Sequence, residues 1–118
     1  MTDRADADRF WLWDLEVEIL AGDRPMMGPY RAGDRFTLEG EMLHLPPGQG
    51  FSIYALAALL PLLPAKQRAT HPADWMTSDE IVVGPDPHCG ARYRIRRTNK
   101  RWFRHAETTA VPMPEPPR

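Results

Sequence analysis

Cysteine is nearly missing from this chain: Cys89 is the only one in 118 residues. No intrachain disulfide can form, which excludes the small secreted scaffolds that replace a core with crosslinks. Long apolar stretches are missing too. The longest, residues 53–63, is interrupted by Pro61 and falls well short of the roughly 20 residues a helical membrane span requires. The first eight residues are acidic and have no apolar segment of the kind a signal peptide uses, so the expected location is cytoplasmic, with no membrane partner. Net charge is also small, at −1, and the molecule as a whole steers toward neither nucleic acid nor acidic substrates. Neither a glycine-rich phosphate loop nor a CxxC or HxxxH spacing occurs.

What remains is ordinary for one globular domain: 42% apolar and 26% charged residues, enough for one modest core. Proline is the exception, with four of the thirteen in the last seven residues. Leu15, Val17 and Ile19 alternate with Asp14, Glu16 and Glu18, which marks a strand with one buried face. Trp11 and Trp13 share the parity of the apolar set and are expected to continue its inner face. Gly33-Asp34 and Gly40-Glu41 are turn signals bracketing a hairpin of residues 35–39 and 42–45. Residues 51–68 carry helical spacing at Ile53, Leu56, Ala57, Leu60 and Leu63, with Ser52 as N-cap. Pro61 kinks this helix or opens a second short one, and its nearly all-round apolarity predicts burial on more than one side. A helical turn at Asp74-Trp75-Met76 with a core tryptophan, a short buried strand at 81–83 and a last strand at 91–97 complete the set. Tyr93 and Ile95 are expected inward, with Arg92, Arg94 and Arg96 outward.

These elements predict an α+β fold: a small antiparallel sheet of four or five strands, one main helix on one face, and a disordered Pro-rich C-terminal tail. The boundaries read as a flexible acidic leader at 1–9, a single domain at 10–100, and a basic aromatic segment with the Pro-rich tail at 101–118.

Seven of the fifteen Lys and Arg residues lie between Arg92 and Arg104. If the first and last strands are neighbours, Arg92, Arg94 and Arg96 face the acidic row of the first strand and are locally compensated. Beyond them, Arg97, Lys100, Arg101, Trp102, Phe103 and Arg104 mix cations with large aromatics, the composition of a protein-binding surface. His44, Tyr54, Trp75 and His88 are candidates to line a pocket between helix and sheet; Trp11 and Trp13 are further aromatic candidates, though tryptophans in so small a core more often fill volume. Asp86, His88 and Cys89 are metal-ligand types, but one short cluster supplies too few ligands and reads as a proline-fixed turn. No catalytic residue, metal site or cofactor is assigned.

Gly33-Asp34-Arg35-Phe36, Ser52-Ile53-Tyr54-Ala55-Leu56 leading into an apolar helix, and Gly84-Pro85-Asp86-Pro87 before a final strand resemble a family of short, uncharacterised prokaryotic proteins. The resemblance spans residues 12–98. Relatives commonly carry cysteine where Ser52 and Gly84 stand here, so any thiol-based metal or redox role does not carry over. The resemblance implies association with a larger metabolic enzyme, such as a decarboxylase of the prenylated-flavin type. The first functional expectation is therefore a non-catalytic small subunit or accessory protein, its partner a larger enzyme subunit or a second copy of itself. The alternatives are a small stand-alone enzyme or ligand-binding domain and, less favoured, a nucleic-acid binder using the basic last strand.

Overall fold

A computed structural model describes residues 7–114. The ends of the expected leader and tail, residues 1–6 and 115–118, lie outside the described residues. Along the chain come β1 (Arg9–Ala21), β2 (Arg35–Glu39), β3 (Met42–His44), α1 (Ile53–Leu59), α2 (Leu63–Gln67), α3 (Trp75–Ser78), β4 (Ile81–Val83), β5 (Ala91–Arg104) and α4 (His105–Thr108). The strands form one five-stranded antiparallel sheet in the order β3-β2-β1-β5-β4. This is the α+β architecture expected from the alternation and the hairpin signals.

Strand parity sends Leu15, Val17 and Ile19 of β1, Phe36 of β2 and Tyr93 and Ile95 of β5 to one face. Ala55 and Leu59 of α1 and Leu63 of α2 cover them and close the core. Full burial of side chains such as Val17 and Phe36 contributes about 1.5–3 kcal/mol each, which fixes the register of the central strands. Phe51, just before α1, packs edge-on against Phe36 with ring centres 4.9 Å apart. The hairpin between β2 and β3 turns on Gly40-Glu41. Gly40 has φ +61° as the first loop residue, the placement a type II′ turn requires.

The helical segment divides at Pro61 into two helices. Ser52 caps α1, its hydroxyl accepting from the Ala55 N–H, and Pro64 stands in the first turn of α2, where its missing N–H costs no helical bond. The apolar stretch is covered on one side only: Ile53, Tyr54 and Leu60 face solvent, whereas the polar Lys66 and Gln67 are buried. Trp75 begins α3 as expected but is 54% exposed and not a core tryptophan. Ile81 and Val83 of β4 are likewise exposed, because β4 is an edge strand and the second face of the sheet carries no helix.

Two further differences concern the ends of β1 and β5. The expected domain boundary at residue 100 falls inside a strand: β5 continues to Arg104, paired with β1 as far as Arg9, and α4 follows it. The Lys100–Arg104 segment has a weak apolar pattern because its pairing partner, not its own alternation, holds it extended. Secondly, Trp11 does not continue the inner face, and Trp13 only edges the core, packing against it while partly buried. The register slips between Trp13 and Leu15, where Asp14 stands opposite both Thr98 and Asn99. Asp14 and Leu15 are consecutive and both buried, so the alternation breaks at this bulge. Before it, Leu12 lines a groove with Leu38, Leu60 and Leu63 on the helix side.

Candidate functional site

The open face of the sheet carries an ordered series of cross-strand pairs between β1 and β5. Glu18 meets Arg94 at 2.5 Å and Glu16 meets Arg96 at 2.6 Å, as the two charge rows predicted. Past the bulge the acidic members are replaced by aromatics. Trp13 stands opposite Lys100, Trp11 opposite Trp102, and Arg9 opposite Arg104. The Lys100 ammonium lies 4.6 Å from the centre of the Trp11 ring and 5.6 Å from that of Trp13, and the Arg9 guanidinium lies 4.8 Å from that of Trp102. Such contacts contribute about 0.5–1 kcal/mol each at exposed sites and hold the long cationic side chains flat against the rings.

Neither neighbouring strand reaches this region. β2 pairs with β1 only between Leu15 and Glu18, and β4 pairs with β5 only between Arg92 and Arg94. Residues 9–13 and 100–104 therefore form a two-stranded ribbon beyond the paired stretches of β2 and β4, with Leu12 still lining a groove against α2. Phe10 stacks on Phe103 at 5.3 Å on the opposite side of the ribbon. Among the described residues no strand pairs with the outer edge of β5 from residue 96 to 104.

Asp14 anchors the ribbon to the body. It is 4% exposed and accepts from the Gly40 N–H (2.9 Å), from Asn99 (2.8 Å), and from Arg101 through two bonds of 2.9 Å. Burial by itself would raise this carboxyl. The hydrogen bonds from Arg101, Gly40 and Asn99, with the Arg101 charge, outweigh it and hold Asp14 below the ordinary carboxylate value. The Gly40 carbonyl in turn accepts from buried Gln67 of α2 at 2.8 Å. One carboxylate thus ties β1, β5, the hairpin turn and, through Gly40, α2.

The six residues expected to form a partner surface separate into two sets. Lys100, Trp102 and Arg104 lie on the open face. Arg97 turns to the helix side, donating to the carbonyls of Lys66 (2.7 Å) and Arg68 (2.9 Å); Arg101 is engaged by Asp14, and Phe103 by Phe10. The four residues expected to share a pocket do not meet. His44 is on β3 at one edge of the sheet, pairing with Glu39, and His88 is in the loop after β4 at the other edge. Tyr54 is 75% exposed on α1, and Trp75 is exposed on α3. The reason is topological: β2, β1 and β5 lie between the sheet edges that carry His44 and His88, and Tyr54 and Trp75 are on separate helices with their side chains exposed.

A cleft of about 540 Å³ instead lies between the loop before β2 and the start of α1, with Tyr30, Arg31, Asp34, Phe51 and Ser52 on its walls. The Ser52 hydroxyl is engaged there, accepting from Tyr30 at 3.3 Å while it caps α1. A second, more apolar groove of about 440 Å³ runs between the β2–β3 hairpin and Leu60, Leu63 and Pro64. Asp86 accepts from the His88 N–H in a local turn, and the Cys89 thiol contacts the Met27 backbone. Among the described residues no group of three or more His, Cys, Asp or Glu side chains is placed to hold a metal ion, and no helix is long and apolar enough to cross a membrane.

No protein family, curated protein or solved structure matches the chain. The site is therefore read from its own geometry.

Sequence reasoning missed the aromatic pairing of Trp11 with Trp102 and the burial of Asp14. A signal was present for the second. Residues 10–13 are apolar at both parities, so the alternation that assigns faces does not extend upstream of Asp14.

Proposed function

We propose that this protein is a non-catalytic accessory protein or small subunit that docks on a larger protein through the open face of the β1–β5 ribbon. The observation that carries this reading is Trp102, which is 54% exposed and flanked by Arg9, Trp11 and Lys100 on the ribbon. Tryptophan and arginine are the side chains most often found at the energetic centre of protein interfaces. Here the cation–aromatic contacts hold them in place before binding, which lowers the entropy lost on association. The unpaired edge of β5 offers backbone donors and acceptors to an added strand.

Charge favours a different protein over a second copy as the partner. Two β5 edges paired with each other would bring Lys100 of both copies, which among the described residues has no carboxylate at ion-pair distance, onto one surface. A partner strand with acidic side chains meets no such repulsion, and the resemblance described above points to a larger metabolic enzyme as its source. Nucleic-acid binding has less support. Arg92, Arg94, Arg96, Arg101 and Arg104 each face a carboxylate of this chain, which lowers the positive field available to phosphates.

The test is affinity purification from the native host with the full chain and its Trp102→Ala and Lys100→Glu variants. The wild-type chain is expected to retain a stoichiometric larger protein, and each variant to lose it at least tenfold while keeping the wild-type unfolding midpoint. Retention of nothing by the wild-type chain, or undiminished retention by both variants, refutes the proposal.

A further inference from the structure

The apolar groove beside the β2–β3 hairpin has two walls. The hairpin wall carries Glu41 and Leu43, and the helix wall carries Leu60 and Arg68. Leu12 and Leu63 of the same groove are buried, but Leu43 is 37% and Leu60 49% exposed. Glu41 and Arg68 are the only charged side chains among the described residues that line it. Both are exposed, and among the described residues neither has a partner at ion-pair distance. Arg68 donates to the Pro64 carbonyl at 3.1 Å, a bond along its own helix end that uses one of several donors. The buried Gln67 amide donates to the Gly40 carbonyl at 2.8 Å and so ties the two walls together. β3 is the outermost strand of the sheet, and no other described strand lies beyond it.

We infer that this groove is the two-fold interface of a homodimer, in which the hairpin of each copy packs on the helix wall of the other. The leucines supply the attraction, because apolar surface left wet on both walls is removed from water on docking. The two charges decide the partner and the axis. A two-fold interface brings residue i of one copy to residue j of the other, and j to i. With the axis along the groove, each hairpin wall meets the other copy's helix wall. Glu41 then faces Arg68 twice, and Leu43 faces Leu60 twice. With the axis across the groove, Glu41 would meet Glu41 and Arg68 would meet Arg68, and both contacts repel. An acid on one wall and a base on the other therefore make the surface complementary to itself in one orientation. The Gln67 bond holds the walls in place before association, which limits the ordering cost.

This interface lies on the helix side of the sheet and leaves the open face of the ribbon free, so it does not depend on the docking proposal. The test is sedimentation velocity of the full chain from about 1 to 200 µM, with the unfolding midpoint of each variant as a control on folding. The wild-type chain is expected to reach dimer mass, with half-association below about 50 µM. Leu60→Asp is expected to weaken association about tenfold or more. Glu41→Arg and Arg68→Glu, both at exposed positions, are each expected to weaken it about fivefold or more, and the double charge swap to return it to within about twofold of wild type. Trp102→Ala is expected to leave association unchanged, which separates this surface from the ribbon. A wild-type chain that stays monomeric to about 200 µM overturns the assignment, even where the groove binds a different protein. Association that Leu60→Asp leaves intact, that Trp102→Ala abolishes, or that the double swap does not restore overturns it equally.

Discussion

Replacing Asp14 by leucine tests whether one carboxylate holds the ribbon on the body. The substitution keeps the branched four-atom shape, with bulkier methyl groups, while removing four hydrogen bonds. The Gly40 N–H is buried in the turn and finds no substitute acceptor, which costs about 1–3 kcal/mol. Arg101 and Asn99 are exposed and return to water, so their lost bonds add little. With the loosened bulge the expected destabilisation is about 2–4 kcal/mol at pH 7, a fall of about 10 °C in unfolding midpoint for a domain of this size. The effect carries a pH signature. The folded-state value of Asp14 is lowered, so its contribution is complete above the unfolded carboxylate value of about 4 and is lost as pH falls through the folded value. Urea unfolding of both proteins at pH 7, 5 and 3 measures the gap between them. It is expected to be constant from about pH 7 to 5 and to narrow at about pH 3. A gap below about 0.5 kcal/mol at pH 7, or one that does not narrow in acid, refutes the role given to this carboxylate.

Three further expectations follow from single positions. Gly40→Ala places a β-carbon 3.1 Å from the side chains of Arg101 and Phe103 at φ +61°, and should cost about 1–2 kcal/mol, read by urea unfolding. Gly90→Ala cannot be accommodated in place, because its β-carbon would lie 1.9 Å from the Arg24 carbonyl oxygen; amide hydrogen exchange should show lost protection around residues 24–27 and at the start of β5. Burial, with Tyr30 adding to it, pushes the Tyr93 phenol well above its ordinary value. Its contribution to stability is therefore complete below about pH 10 and declines above it, and Tyr93→Phe should flatten that alkaline decline in a comparison of unfolding midpoints at about pH 9 and 11.

Much of the sheet was legible because alternation is a local property. Leu15, Val17 and Ile19 announce a buried face and Tyr93 and Ile95 another, and the charge rows of Glu16 and Glu18 and of Arg94 and Arg96 suit each other once pairing makes β1 and β5 neighbours. Turn residues placed the hairpin, and Ser52 the start of α1. The candidate site was legible only as a composition: cations and aromatics near residues 100–104 were recognised as a surface, but which of them share a face was not.

That division has a physical cause. Periodicity and turn chemistry depend on residues close in sequence, and so the chain alone determined its strands, its hairpin and the sign of the charge on each sheet row. The slip opposite Asp14 exists only once β1 and β5 are paired, and it is at this slip that Asp14 is buried next to Leu15. Likewise the capture of Lys66 and Arg97 by backbone carbonyls arises only when α2, α3 and β5 pack together. Tertiary pairing therefore decided which aromatics share a face and which polar groups are buried, because both are relations between segments far apart in the chain.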